Sequence, residues 1–218
     1  KTLLFDLDGT LLNTLEDLRD STNFALRTYG YPERSLEEVR RFVGNGLKML
    51  LTRAVPQGSS EVEIERALAC MKAHYCENYH NKTVPYPGIP ELLEQLRAHG
   101  FRVAVATGKP TPMACSILQR FDLERLFDCV IGCEYDGTRS TKAEVVAAAL
   151  AETHTPPEAA LMVGDRKYDV TGAAACGVPC LGVYYGYAEP GELEAAGAVT
   201  TVQTVAELSE RLLHWNEA

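Results

Sequence analysis

Two pairs of aspartates carry the chemistry most legible in this chain. Asp6 and Asp8 stand two residues apart and run into Gly9-Thr10, while Asp165 and Asp169 stand four apart in Gly164-Asp165-Arg-Lys-Tyr-Asp169. Each pair follows a short apolar run, Leu3-Leu4-Phe5 and Ala160-Leu-Met-Val163, of the kind a buried strand needs. An Asp-rich turn closing a strand is the plain reading of either pair alone. A strand that ends in acids and then reverses also delivers reactive groups to the ligand crevice of an open α/β sheet. Gathered at one such edge, these carboxylates repel. At an effective dielectric of about 20, a pair about 4 Å apart costs about 4 kcal/mol, and three such pairs would rival a domain's whole stability of roughly 5–15 kcal/mol. Protons or a divalent cation must therefore compensate. Hard oxygen ligands with no soft donor among them select Mg²⁺, which also keeps waters and a substrate oxygen in its shell.

Two further positions fit an anion bound beside such a cation. Val103-Ala-Val-Ala106 ends in Thr107-Gly108, a hydroxyl and nearby backbone N–H groups able to hold a phosphoryl oxygen, or else a strand-to-helix cap. Lys142 falls in the first turn of a helix opened by Ser140-Thr141. The helix macrodipole disfavours a cation there, so a local anionic partner accounts for it better than solvent, although a surface lysine remains the alternative.

The elements that must position these groups follow an alternating grammar over most of the chain. Strands are expected at 2–6, 101–106, 128–131, 160–163 and 180–183. Helices are expected at 89–99, 110–120, 141–152, 169–176, near 190–196 and at 205–213. Strands separated by helices of this length imply a doubly wound parallel sheet with helices on both faces, an α/β fold. Residues 15–82 differ. Leu15, Leu18, Thr22, Ala25, Leu26 and Tyr29 recur at helical spacing, Ser35-x-x-Glu38 is a capping box, and Ile64, Leu68, Met71, Tyr75 and Tyr79 form a stripe read as core packing. The stiff joint Pro85-Tyr-Pro87-Gly88 ends this stretch. The expected organisation is an α/β core of residues 1–14 and 83–218, with residues 15–82 inserted as a small all-helical domain.

A formal net charge of −9 argues against a nucleic-acid polymer or an anionic membrane as partner. No apolar run approaches 18 residues and no basic segment leads into an apolar one, so neither a membrane span nor a signal peptide is expected. Seven cysteines, an odd number, read as reduced thiols in a cytoplasmic protein. Cys129-x3-Cys133 and Cys176-x3-Cys180 read as small buried apolar residues rather than as zinc ligands.

Asp6-Leu-Asp8-Gly-Thr-Leu resembles the first motif of the haloacid dehalogenase superfamily in its phosphatase branch. Thr107-Gly108 resembles the second motif, with Gly108 where asparagine is common. Lys142 resembles the third-motif lysine, with Ala143 where proline often follows, and Gly164-Asp165-x3-Asp169 resembles the fourth. The resemblance implies that residues 15–82 are the small cap of that superfamily. It also implies that Asp6 attacks phosphorus, that Asp8 serves as acid then base while its backbone carbonyl ligates Mg²⁺, and that Asp165 ligates the metal. Asp169 would ligate it or support it from behind, and Thr107, Gly108 and Lys142 would bind the phosphoryl group. Lys48, beside Val43-Gly-Asn-Gly46, falls where the substrate-facing loop of such caps lies, though a helix end with a solvated lysine reads equally well.

An acid at position 8 distinguishes the chain from dehalogenases, which need no acid there, and from P-type ATPases, which carry Lys-Thr after the nucleophile. The implied activity is Mg²⁺-dependent hydrolysis of a small phosphomonoester by a monomer or homodimer. Phe42-Val-Gly-Asn-Gly resembles phosphoglycolate phosphatases, whereas Thr138-Arg-Ser-Thr-Lys142 and Gly164-Asp-Arg-Lys-Tyr-Asp169-Val resemble 5′-nucleotidases. A β-phosphoglucomutase-like phosphotransferase is a further enzyme alternative. A catalytically lapsed phosphate-binding protein is the alternative outside enzymes, and such a protein should lack Asp6 or Asp8.

Overall fold

The apolar runs that precede the aspartates become adjacent strands of one sheet in the computed structural model, which describes residues 1–134 and 138–215. In chain order the strands are β1 (Thr2–Phe5), β2 (Leu12–Asn13), β3 (Val84–Pro85), β4 (Arg102–Pro110), β5 (Cys129–Cys133), β6 (Ala160–Gly164), β7 (Cys180–Val183) and β8 (Thr200–Val202). The helices are α1 (Leu15–Thr28), α2 (Leu36–Phe42), α3 (Gly46–Ala54), α4 (Glu61–Asn78), α5 (Ile89–Ala98), α6 (Thr111–Arg120), α7 (Lys142–Glu152), α8 (Lys167–Ala175), α9 (Glu192–Ala196) and α10 (Val205–Leu213). The chain divides into two units, Lys1–Leu12 with Pro85–Ala218, and Asn13–Val84.

The first unit is a six-stranded sheet in the order β5-β4-β1-β6-β7-β8, parallel throughout. Leu3 pairs with Val103 on one side and Leu161 on the other. Covered on both faces, β1 has no exposed position: Leu3, Leu4 and Phe5 are wholly buried, which is why it reads as an unbroken apolar run instead of an alternating one. The chain winds outward from β1 through β4 to β5, then returns to β6 and winds the other way. That reversal opens a crevice at the C-terminal ends of β1, β4 and β6, where the first unit collects its polar side chains.

Several elements depart from expectation. β4 continues to Pro110, four residues beyond the apolar run, because its pairing with β5 shifts register between Ala106 and Pro110. Helix α8 starts at Lys167 rather than Asp169, since Asp169 reaches back to accept the Arg166 N–H at 2.9 Å and so lies inside the first turn. β8 was not anticipated at all. Three residues at a sheet edge, two of them half-buried threonines, carry no periodic signal.

The second unit is helical. Ser35 and Ser60 each take part in a reciprocal capping box, with Glu38 and Glu63, at the starts of α2 and α4. Ile64, Leu68, Met71 and Tyr75 are buried, as core packing requires. Asp17, 3% exposed, accepts hydrogen bonds from the Lys82 and Thr83 N–H groups and the Thr83 hydroxyl, tying α1 to the end of the unit. Among the described residues no helix is long and apolar enough to cross a membrane, and all seven cysteines are free thiols.

Candidate functional site: an acid cluster with two buried lysines

Carboxylate oxygens of Asp6, Asp165 and Asp169 lie within 4.8 Å of one another. Asp6 leaves the end of β1, Asp165 the end of β6, and Asp169 sits in the first turn of α8. Lys142, the first residue of α7, reaches into this group. Its Nζ lies 2.9 Å from Asp6 Oδ1 and 2.7 Å from Asp169 Oδ1, and donates to the Ala106 carbonyl at 3.0 Å. The anionic partner that a first-turn lysine called for is thus a pair of aspartates. Gly172 makes room for it: a Cβ there would stand 2.6 Å from Lys142 Cγ.

The carboxylate of Asp8 is turned elsewhere. Both of its oxygens face the ammonium of Lys109, at 3.0 and 3.2 Å. The three converging carboxylates therefore exclude that of Asp8, and the ligation expected of Asp8 through its backbone carbonyl uses no side-chain oxygen. Lys109 was not singled out in the sequence. A lysine two residues past a strand-end threonine looks like surface, and the only signal was its place in Thr107-Gly-Lys109-Pro directly after a buried strand. Thr107 is buried at the same edge, its Oγ1 accepting the Lys109 N–H at 3.2 Å. Gly108 is half-buried, and a Cβ on it would meet nothing within 4 Å. Lys48 lies in α3 of the helical unit, where its ammonium is paired with Glu61 at 2.8 Å and Glu65 at 2.5 Å.

Asp165 is fully buried and held by neutral donors. The Thr10 hydroxyl donates to Oδ1 at 3.0 Å and the Tyr187 N–H to Oδ2 at 2.8 Å. Gly186 and Tyr187, which carried no chemistry as sequence, thereby gain a task, and the Tyr185 hydroxyl donates to the Thr10 carbonyl at 3.0 Å. Contact here is close enough that only glycine fits. A Cβ on Gly186 would stand 2.2 Å from the Gly9 carbonyl oxygen and 2.4 Å from Asp165 Cβ. Gly186→Ala is expected to cost about 1–3 kcal/mol of stability through overpacking and to weaken Mg²⁺ binding at least about tenfold, as misoriented ligands do. Calorimetric titration of the metal and thermal melts check both.

Electrostatics describe a site short of positive charge. Burial pushes the Asp6 carboxyl up to about 6; Lys142 opposes this and Asp169 adds to it. Asp165 is driven well above its ordinary value, by burial first and then by the charges of Asp169 and Asp6, against the Tyr187 N–H and Arg166. Burial alone would lower Lys142, but Asp169 and Asp6 outweigh it and hold the ammonium above its usual range. Arg166 is spent on Glu192, at 2.9 Å. Four carboxylates thus face two lysines, leaving two negative charges, the deficit one divalent cation would fill. Asp169 Oδ1 is fully buried and receives no well-aligned hydrogen bond, although Lys142 lies close. An all-oxygen donor set with an orphaned carboxylate oxygen fits a hard dication.

Fold and site together define a parallel α/β protein with a carboxylate cluster of this kind at the switch point of its sheet. A family model described as haloacid dehalogenase-like hydrolase matches residues 3–183, and the chain belongs to that family. It is 37% identical over 199 residues to a 5′-nucleotidase of Pseudomonas aeruginosa, covering 88% of this chain and 86% of that protein. It is 36% identical over 212 residues to the tyrosine-protein kinase PtkA of Mycobacterium tuberculosis, covering 96% and 72%. Identity to phosphoglycolate phosphatase 1 of P. aeruginosa is 33% over 192 residues, covering 86% and 70%. Among solved structures, a predicted phosphatase from Clostridium acetobutylicum superposes with a TM-score of 0.91 at 34% identity, covering 98% of each chain.

Proposed function

We propose that this protein is a Mg²⁺-dependent phosphatase that hydrolyses small phosphomonoesters through an aspartyl-phosphate on Asp6. The observation that carries the reading is the convergence of Asp6, Asp165 and Asp169 around Lys142, with an acid two residues beyond Asp6 held apart from them. Asp6, Asp165, the Asp8 carbonyl and Asp169, directly or from behind, would hold the ion. When bound, it neutralises phosphate charge that would otherwise repel an anionic nucleophile.

Both described contacts to the Asp6 carboxylate, from the Leu7 N–H at 2.8 Å and from Lys142, fall on Oδ1. Oδ2 is then the oxygen that attacks phosphorus. Asp8 gives a proton to the departing alkoxide and later takes one from the attacking water. Thr107 and Lys142, with the backbone at Gly108, hold the equatorial oxygens, where most catalysis of phosphoryl transfer resides. The helical unit, inserted in sequence between β1 and β4, is the cap of this reading, and Lys48 would have to leave Glu61 and Glu65 to meet a substrate.

Small phosphomonoesters are favoured by the relatives named for phosphoglycolate and for nucleotides. A second reading, transfer of the phosphoryl group to a protein tyrosine, rests on the relative named as a kinase. A screen over p-nitrophenyl phosphate, phosphoglycolate, nucleoside monophosphates and sugar phosphates, with Mg²⁺ and with EDTA, tests the first. Labelled ATP with a tyrosine peptide tests the second. No Mg²⁺-dependent release of phosphate from any ester would reject the phosphatase reading.

The metal also makes a signed prediction about pH. Because the folded Asp6 titrates near 6 instead of near 3.8, the metal-free fold binds its proton more tightly than the unfolded chain does. The stability this confers is fully present below about pH 4 and is lost as pH rises through 6. Asp165, raised in the same direction, adds to the loss. Bound Mg²⁺ favours the ionised acids and reverses the trend. The Mg²⁺-induced rise in Tm is therefore expected to be small at pH 5 and to reach about 5–10 °C at pH 7.5 with Mg²⁺ at a hundred times its Kd. A shift independent of pH in differential scanning calorimetry would refute the assignment of these acids.

A further inference from the structure

We propose that Lys109 is the positioning residue for Asp8, a buried clamp that fixes the acid–base carboxylate beside the metal cluster but outside it. The inference rests on the phosphatase reading above and adds a residue to it. The Lys109 side chain is 2% exposed, and an ammonium so deeply placed costs several kcal/mol unless it is matched by charge. What matches it is Asp8, with both carboxylate oxygens within 3.2 Å of one Nζ. Engaging both oxygens sets the plane of the carboxylate as well as its place.

The clamp is itself anchored. Thr107 and Lys109 stand two apart on β4, and both are buried. The backbone that carries Lys109 is gripped by β5. A Cβ on Gly132 would stand 2.2 Å from the Lys109 carbonyl oxygen and 2.7 Å from the Thr111 nitrogen, and the Gly132 N–H donates to the Thr111 hydroxyl at 3.1 Å. The register shift between Ala106 and Pro110 falls on the segment that delivers this ammonium.

In the second half of the reaction, a water oxygen bonds to phosphorus as the bond from phosphorus to the Asp6 oxygen breaks. Asp6 leaves as carboxylate, and the water's proton passes to Asp8. Lys109 acts by holding Asp8 where that proton emerges, and it touches neither substrate nor metal. A carboxylate displaced by about 1 Å forfeits about 100-fold in rate.

p-Nitrophenyl phosphate separates the steps, because its leaving group departs as a stable phenolate without needing a proton. With this substrate the loss falls on hydrolysis of the aspartyl-phosphate. Wild type, Lys109→Met and Lys109→Arg are compared in saturating Mg²⁺, with kcat and KM measured and phosphate bound to acid-quenched enzyme counted from ³²P-labelled substrate. Lys109→Met is expected to lose about 100-fold in kcat, to lower KM in parallel because kcat/KM reports the unimpaired phosphorylation step, and to hold phosphate on a larger fraction of its molecules than wild type. Lys109→Arg is expected to recover about tenfold of that loss.

A kcat and bound-phosphate fraction equal to wild type would overturn the proposal. So would a raised KM with kcat kept, which would make Lys109 a substrate contact. An unchanged Mg²⁺-induced Tm shift shows that the three-acid cluster survives the substitution, and Lys109→Gln replaces the methionine variant if that one fails to fold. Wild type that neither turns over nor retains label would instead refute the underlying phosphatase reading.

Discussion

Asp6→Asn is expected to abolish turnover, lowering kcat by about 10⁴-fold or more, while leaving the fold intact and the metal-free protein at least as stable at pH 7.5. The two halves of this result come from the same cause. In the proposed reaction an Asp6 oxygen bonds to phosphorus, and an amide cannot replace it as nucleophile. Ionising Asp6 in place is also costly: a carboxyl held near 6 rather than 3.8 corresponds to about 3 kcal/mol. Asparagine removes that charge from a cluster with too few cations, and its oxygen can still accept from the Leu7 N–H at Oδ1. Steady-state kinetics and metal-free thermal melts, run on the same preparation, decide it. A variant that keeps more than a hundredth of wild-type kcat would reject Asp6 as nucleophile, whatever its stability.

Lys142→Met is expected to be damaging in both respects. Removing one partner of a buried ion pair leaves its counterpart uncompensated and costs roughly 3–5 kcal/mol, and here two aspartates are orphaned together, Asp6 and Asp169. Activity should fall at least about 100-fold, because the same ammonium would face the equatorial phosphoryl oxygens. The destabilisation has a direction in pH. Lys142 opposes the rise of the Asp6 carboxyl, so without it Asp6 binds its proton more readily in the folded state, and the variant's deficit against wild type should shrink from pH 8 to pH 5 as Asp6 neutralises. Denaturant titrations at the two pH values check this. A deficit that does not depend on pH would mean that Lys142 stabilises through packing of its stem in the space left by Gly172, not through its charge.

The chain's sequence carried much of this architecture because two kinds of signal are local. Strands buried on both faces must be continuous apolar runs, so β1, β4 and β6 announced themselves. The acids at the ends of β1 and β6 could be read by type and spacing before any contact was known. The capping box at Ser35 marked a helix start for the same reason, since donor and acceptor lie three residues apart. Lys142 was legible as an anomaly: a cation placed against a helix dipole asks for an anion, and the fold supplies two.

Tertiary structure alone decided which distant groups meet. Lys109 reaches Asp8 across 101 positions of sequence, and Thr10 and the Tyr187 N–H close on Asp165 from 155 and 22 residues away. None of these pairings has a periodicity. They follow from the parallel register of β1 with β4 and β6, and from a register shift in β4 that a string of residue types does not record. The same holds for Gly9, where a Cβ would meet Asp165 and Tyr187, and for Gly186, where it would meet Asp165 and the Gly9 carbonyl. Residue identity determined what chemistry was available. Strand register determined which carboxylates converge and which one is held apart by a lysine.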